Sequence, residues 1–295
     1  MKKLLYVFNA RAGHGESVLK PHLLDIVTRF NQLDYAVTIM TTQHAHHATE
    51  LVAEYARHFD MVLCSGGDGT VNEVVNGMVR LEEKKPIAYI PTGTTNDYGS
   101  SLGLPSEVSA CIDRITGGDP FPVDVGLLND KAFVYVAAMG IPVKVSYTTS
   151  QAEKNIWGYW AYVSELFKVL PETRAFHLSI ETPERSWKGE YLIAFITNSK
   201  QVSGVKGITG KDVSLNDGLF EVTLVKNVKN IAELIVHLPT LASGQPDPKY
   251  VERFKVKEMQ IHCDEEIEWN LDGEFGGKAR DAKISVLESA VSFLV

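Results

Sequence analysis

At 295 residues and 44% hydrophobic content, the chain is long enough for one large domain or two ordinary ones, each with a real core. A formal net charge of −8 and a pI near 5.6 disfavour a partner recognised through its phosphate backbone, so no nucleic acid is expected. Cys64, Cys111 and Cys263 are odd in number and form no C-x-x-C pair, which fits buried thiols in a reducing compartment rather than a disulfide framework.

The opening "MKKLLYVFNARAG" has the two lysines of a signal peptide, but its apolar run, Leu4 to Phe8, is too short for one and reads as a first strand. No window approaches the roughly 18 apolar residues of a membrane span, so membrane contact is expected to be peripheral. "LLYVF", "VTIM", "MVLC" and "IAYI" then alternate with helical patterns: Leu19, Leu23, Ile26, Val27 and Phe30; Ala48, Leu51, Val52, Tyr55, Ala56 and Phe59; Val71, Val74, Val75, Met78 and Val79. This alternation predicts a parallel α/β layer through about residue 120. From "FPVDVGLLNDKAFVYVAAMG" onward the rhythm changes to strand pairs, with Asn129-Asp130 as a turn signal. "FHLSIET", "YLIAFITN", "LFEVTLV", "KVKEMQIHC" and "EIEWNL" read as strands of an antiparallel sandwich or barrel, interrupted by residues 151–170 and 229–242. The expected domains are 1–122 and 123–295, with the last strand, "AVSFLV", able to return to the first.

Ligands of open α/β sheets bind beyond the carboxyl ends of the strands, where "NARAGHGES", "SGGDGTVNE" and "PTGTTNDYG" lie. Gly66, Gly67 and Gly69 allow close backbone approach to an anion, and the following helix offers N–H groups and a positive dipole end. The loop is neither a Walker A motif nor a dinucleotide fingerprint. Asp68 would repel a phosphate unless a cation lay between them, which points to Mg2+. Asp97 repeats that logic at the next strand end, beside Asn96 and the hydroxyls of Thr92, Thr94 and Thr95. Either aspartate could instead be a turn former or a helix N-cap.

"GGDGTVNEVVNG" and "PTGTTNDYG" resemble the signature loops of the diacylglycerol kinase catalytic-domain family, which includes sphingosine and ceramide kinases and is distantly related to NAD kinases. The resemblance extends over nearly the whole chain. It implies an ATP-binding α/β domain with a parallel sheet, and a mainly antiparallel β-sandwich domain that helps bind lipid. Asn9, Gly13, Thr42, Gly66, Gly67, Asp68, Gly69, Thr70, Glu73, Thr94 and Asn96 match its nucleotide positions. By the same resemblance, Asp68 and Asp97 organise water around a catalytic Mg2+. In "WNLDGEFGG", Asp272 would be the general base with Glu274 beside it, although Asp-Gly-Glu alone reads as a hairpin turn. "VSLNDGLFEV" resembles an element binding a structural Mg2+ through Asp217 and the carbonyls of Ser214 and Leu219; an ordinary N-D-G turn is the alternative. This chain departs from many relatives in having Asn9-Ala10 and then His14, where they have Asn-Pro and then a lysine, and in having Glu165 where a lysine is expected.

His44, His46 and His47 are read as solvent-facing on a helix and kept out of the site. Trp157, Tyr159, Trp160, Tyr162 and Phe167 suit either burial or a lipid headgroup boundary. The resulting expectation is a cytoplasmic, ATP- and Mg2+-dependent kinase that phosphorylates diacylglycerol from a peripheral position at the inner membrane face. Another acceptor (a sphingoid base, phosphatidylglycerol or NAD), a non-catalytic nucleotide- or lipid-binding regulator, and a homodimeric assembly are left open.

Overall fold

The computed structural model describes residues 1–9, 19–140, 174–202, 204–210, 212–227 and 246–295. The segments expected to interrupt the strands, with their aromatic residues and Glu165, lie outside these, as do Arg11, Gly13 and His14. Two compact units are formed, one by Met1–Asp124 with Glu288–Val295 and the other by Val125–Leu287.

In the first unit, β1 (Lys2–Phe8), β2 (Tyr35–Thr41), β3 (Met61–Gly66) and β4 (Ile87–Pro91) pair in the order β4-β3-β1-β2, all parallel. β3 and β4 are buried at every residue, which is why their sequences are apolar runs rather than alternating ones. The connecting helices turn apolar stripes inward. α1 (Leu23–Gln32) buries Ile26 and Phe30, α2 (His47–Tyr55) buries Leu51 and Val52, and α3 (Asp68–Met78) buries Val71, Val74, Val75 and Met78. Short α4 (Asp97–Ser101) and α5 (Val108–Thr116) follow β4; the Glu107 carboxylate caps α5 by accepting from the N–H groups of Ser109 and Ala110. Parallel pairing brings the strand ends to one edge: Phe8 lies opposite both Thr41 and Ser65, and Gly66 opposite Pro91.

The second unit is built from β5 (Pro120–Leu128, which begins in the first unit), β6 (Lys131–Phe133), β7 (Val136–Met139), β8 (Phe176–Glu181), β9 (Ser186–Thr197), β10 (Phe220–Lys226), β11 (Val251–Val256), β12 (Glu258–Leu271) and β13 (Glu274–Leu294). β5 and β6 form a hairpin through Asn129-Asp130, with Asn129 at φ 55°. β11, β10, β9, β7, β12 and β13 pair antiparallel in that order, and β8 bonds to both β9 and β12. The ladders β7-β9-β8-β12 therefore close a ring around a core containing Trp269, Tyr191, Phe220, Phe133 and Ile261.

Two expected strands, "KVKEMQIHC" and "EIEWNL", are mostly one. β12 runs through both, and an irregularity between His262 and Ile267 absorbs the acidic residues 264–266 while keeping Met259, Ile261, Cys263, Ile267 and Trp269 buried. "AVSFLV" is likewise the end of the 21-residue β13, where Phe293 pairs in parallel with Ile87 of β4.

Candidate active site

Three hydrogen bonds continue the first sheet beyond its strand ends. Asn9 N–H donates to Ser65 O at 3.1 Å, Thr42 N–H to Phe8 O at 2.9 Å, and Thr92 N–H to Gly66 O at 2.8 Å. The Asn9 side-chain amide donates to Thr70 Oγ1 at 3.2 Å, so the first loop touches the glycine loop directly. Gly67 precedes α3 without any side-chain cap; the Thr70 N–H donates to the Gly67 carbonyl at 3.0 Å, and the helix start remains open to an anion. Thr94 is exposed at the loop tip, while the Thr92 hydroxyl is buried with no hydrogen-bond partner among the described residues.

The glycines here serve contact between loops as well as openness. A Cβ on Gly93 would lie 2.5 Å from the Gly67 Cα, and one on Gly66 would lie 2.2 Å from Thr70 Oγ1. Asn96 holds the adjoining turn at φ 52°, accepting from Gly93 N–H at 2.8 Å and donating to Gly93 O at 3.0 Å. Gly93 was not singled out by sequence, and only the approach of two loops distant in the chain reveals its role.

Asp68 braces the same contact. Its Oδ2 accepts from Asp97 N–H at 3.1 Å and its Oδ1 from Tyr98 N–H at 3.0 Å, tying the glycine loop to the start of α4. Dense surroundings raise its pKa, an effect these and neighbouring amide bonds oppose. Among the described residues none forms an ion pair with it, so no cation of the chain offsets a carboxylate whose charged form burial disfavours. That donor chemistry fits Mg2+, and Asp97, itself buried, starts the adjacent helix. Glu73 is engaged elsewhere: its carboxylate accepts from His46 N–H at 2.8 Å and Ala48 N–H at 3.0 Å, capping α2. A structural cap, rather than a reach toward a nucleotide, is what its geometry displays.

In the second unit, Asp272 and Gly273 form the two-residue turn between β12 and β13, at φ 51° and 93°. The Asp272 side chain is buried. Oδ2 accepts from Val134 N–H at 2.6 Å, and Oδ1 accepts from Tyr135 and Val136 N–H at 2.9 and 2.8 Å. Three amides thus occupy most of the roughly four lone-pair positions of a carboxylate. Glu274, two residues on, is exposed.

Asp217 follows β9 in the same unit. Its Oδ1 accepts from Leu219 N–H at 3.2 Å, and its Oδ2 is 2.9 Å from the Lys255 ammonium. Lys255 also donates to Asp212 O at 2.8 Å and lies 3.2 Å from Glu221 Oε1, an ion pair whose angle falls short of a hydrogen bond. Burial lowers the Lys255 pKa, but the Asp217 and Glu221 carboxylates beside it more than offset this and the net shift is upward. Burial pushes Glu221 up to about 7 despite Lys255. A divalent ion at Asp217 would meet an ammonium already seated there, so these residues, with the Ser214 and Leu219 carbonyls, do not fit Mg2+ in this arrangement. Lys255 was not found from sequence; its signal was the β10–β11 register, which sets it directly opposite Glu221.

His44, His47 and Glu50 come within 4.8 Å of one another through their potential ligand atoms. The His44 and His47 rings stack, and His47 Nδ1 accepts from Gln43 N–H, which leaves the proton of the neutral ring on Nε2. The three groups do not present three free lone pairs.

Comparison with known proteins places these loops in a family. Residues 3–128 match the model of the diacylglycerol kinase catalytic domain, and residues 136–295 match the YegS C-terminal NAD kinase beta sandwich-like domain. The chain is 32% identical over 280 residues to a diacylglycerol kinase of Bacillus subtilis (strain 168), covering 94% of this chain and 91% of that one. It is 34% identical over 281 residues to a diacylglycerol kinase of Staphylococcus aureus (strain NCTC 8325 / PS 47), covering 94% and 87%. Among solved structures, a candidate diacylglycerol kinase from Bacillus anthracis str. Sterne aligns with a TM-score of 0.84 at 26% identity, covering 99% of this chain and 95% of that one. A second structure from that organism, with a TM-score of 0.76 at 23% identity and coverage of 99% and 96%, shares the fold. With both units matched and identity above 30% along nearly its full length, the chain belongs to the diacylglycerol kinase catalytic-domain family of lipid kinases, with a YegS-type C-terminal domain.

Proposed function

We propose that this lipid kinase transfers the γ-phosphoryl group of ATP to the free hydroxyl of diacylglycerol, giving phosphatidic acid. The observation that carries the phosphoryl-transfer part is the edge of the parallel sheet, where Asn9, Thr42, the glycine loop and the Thr92–Asn96 turn stand together around an uncapped helix start. The acceptor is supported by the names of the relatives. In this reading, Asn9, Thr42, Gly66, Gly67, Gly69, Thr70, Thr94 and Asn96 bind nucleotide, with Gly13 added by resemblance.

Bound Mg2+, held by Asp68 and Asp97 through water, would neutralise charge on the transferring phosphates. The chain's own contribution is orientation: the Gly67–Gly93 contact and the Asp68 brace fix the loops before nucleotide arrives. Asp272 takes the hydroxyl proton as the general base. A second reading has support in the same geometry, because exposed Glu274 is the neighbouring carboxylate without the three amide bonds that Asp272 accepts. Among the described residues, no helix is long and apolar enough to cross a membrane.

The test is incubation of purified protein with labelled ATP, Mg2+ and micelles containing diacylglycerol, a sphingoid base and phosphatidylglycerol, followed by identification of the labelled product. Labelled phosphatidic acid is expected; a different labelled lipid would replace the acceptor, and none would remove the proposal. Asp272→Asn should lower kcat about 10²–10⁴-fold with ATP affinity retained, and Glu274→Gln far less. The reverse ranking would move the base to Glu274.

A further inference from the structure

We propose that the Lys255 ammonium is the resident cation of the Asp217 loop, a built-in positive charge where a bound metal would otherwise organise the chain. This inference concerns a different part of the molecule from the nucleotide loops and stands whether or not the lipid acceptor is diacylglycerol.

The donor and acceptor count supports it. An ammonium has three N–H donors, and three oxygens surround this one: Asp217 Oδ2 at 2.9 Å, Asp212 O at 2.8 Å and Glu221 Oε1 at 3.2 Å. Those oxygens come from the loop before β10, from a main-chain carbonyl and from β10 itself, while Lys255 stands on β11. One side chain therefore gathers a loop and two strands, as a structural ion does. The Glu221 side chain is only 8% exposed, and neither of its carboxylate oxygens has a hydrogen bond of good geometry. Lys255 is the cation that offsets this buried carboxylate, and removing it would leave an uncompensated buried anion. Asp217 is further committed by Leu219 N–H on its other oxygen, which fixes the turn from inside the chain. Mg2+ demands near-octahedral oxygen geometry at about 2.0–2.1 Å and would have to displace the ammonium from both carboxylates.

The experiment compares melting temperatures in chelator and in millimolar Mg2+, without nucleotide, for wild type, Asp217→Asn, Lys255→Met and Lys255→Arg. The comparison is repeated in an Asp68→Ala background to remove any response from the nucleotide loops. In the Asp68→Ala background the protein is expected to melt at the same temperature with and without Mg2+, whatever response wild type shows through its nucleotide loops. Lys255→Met should melt about 3–8 °C lower, and Lys255→Arg should recover most of that loss. A Mg2+-induced rise that persists in Asp68→Ala and vanishes in Asp217→Asn would overturn the proposal, as would Lys255→Met melting like wild type. If Lys255→Met does not fold, Mn2+ binding counted by electron paramagnetic resonance decides: a site present in Asp68→Ala and lost in the Asp68→Ala, Asp217→Asn double variant refutes the built-in cation, and no such site supports it.

Discussion

The two units solve one problem, holding a carboxylate in place with backbone amides, to different degrees. In the α/β unit Asp68 accepts from the Asp97 and Tyr98 amides of the neighbouring loop and is partly accessible. In the β-rich unit Asp272 sits in a left-handed hairpin turn, buried, with three amides on its two oxygens. The first arrangement is a brace that leaves room for chemistry. The second is an anchor, so any catalytic task given to Asp272 is tied to the stability of segment 134–136. A loss of activity on changing Asp272 is therefore ambiguous until stability is measured.

The largest expected effect follows directly. Asp272→Asn should lower stability by about 2–4 kcal/mol, read as a fall in denaturant midpoint, because an NH2 group would face amides that need an acceptor. Asp68→Asn should lose about 1–2 kcal/mol, since it leaves one amide of a less buried pair unmatched. An equal or greater loss in Asp68→Asn would break the comparison. Between these lies Gly93→Ala, expected to lose about 1–3 kcal/mol by forcing the loops apart and to weaken ATP binding in calorimetry. Unchanged affinity in the folded variant would show that the Gly67–Gly93 contact does not shape the nucleotide site. Glu73→Gln should lose about 0.5–1 kcal/mol, detectable by thermal melting, through a weakened cap on α2.

The subtlest effect is on pH dependence. Because the folded Asp68 carboxyl has a raised pKa, the folded protein takes up that proton more readily than the unfolded chain does. The proton-linked part of the stability Asp68 adds, over and above what its amide bonds supply at neutral pH, should be fully present below about pH 4, the ordinary carboxylate value. It should be lost as pH rises through the raised folded value. Stability curves of the two proteins that stay parallel across this window would show that Asp68 feels no desolvation.

Much of the α/β unit was legible because buried parallel strands write themselves as apolar runs and the helices between them carry one apolar face; "MVLC" and "IAYI" fall inside β3 and β4. The β-rich unit was less so. The first part of β13, "EFGGKARDAKISVLES", alternates charged with small residues and looks like a loop until β12 pairs with it. Five-residue α4 is too short to show a period. Asp68 and Gly67 drew notice as members of a glycine turn, but their bracing partners lie about 30 residues away and could not be read locally. Lys255 escaped for a related reason, since its meaning depends on which residue stands across the ladder.

Helix α3 carries two carboxylates that grip different neighbours. Asp68 at its first residue holds the amides of Asp97 and Tyr98, and Glu73, five residues on, holds those of His46 and Ala48. The helix is thus a tie-bar linking the starts of α2 and α4, and the glycine loop cannot shift without pulling on both. Hydrogen–deuterium exchange should register this as linked protection. The amides of residues 46, 48, 97 and 98 should slow together when nucleotide rigidifies the loop, since Glu73 ties residues 46 and 48 to the helix that carries it.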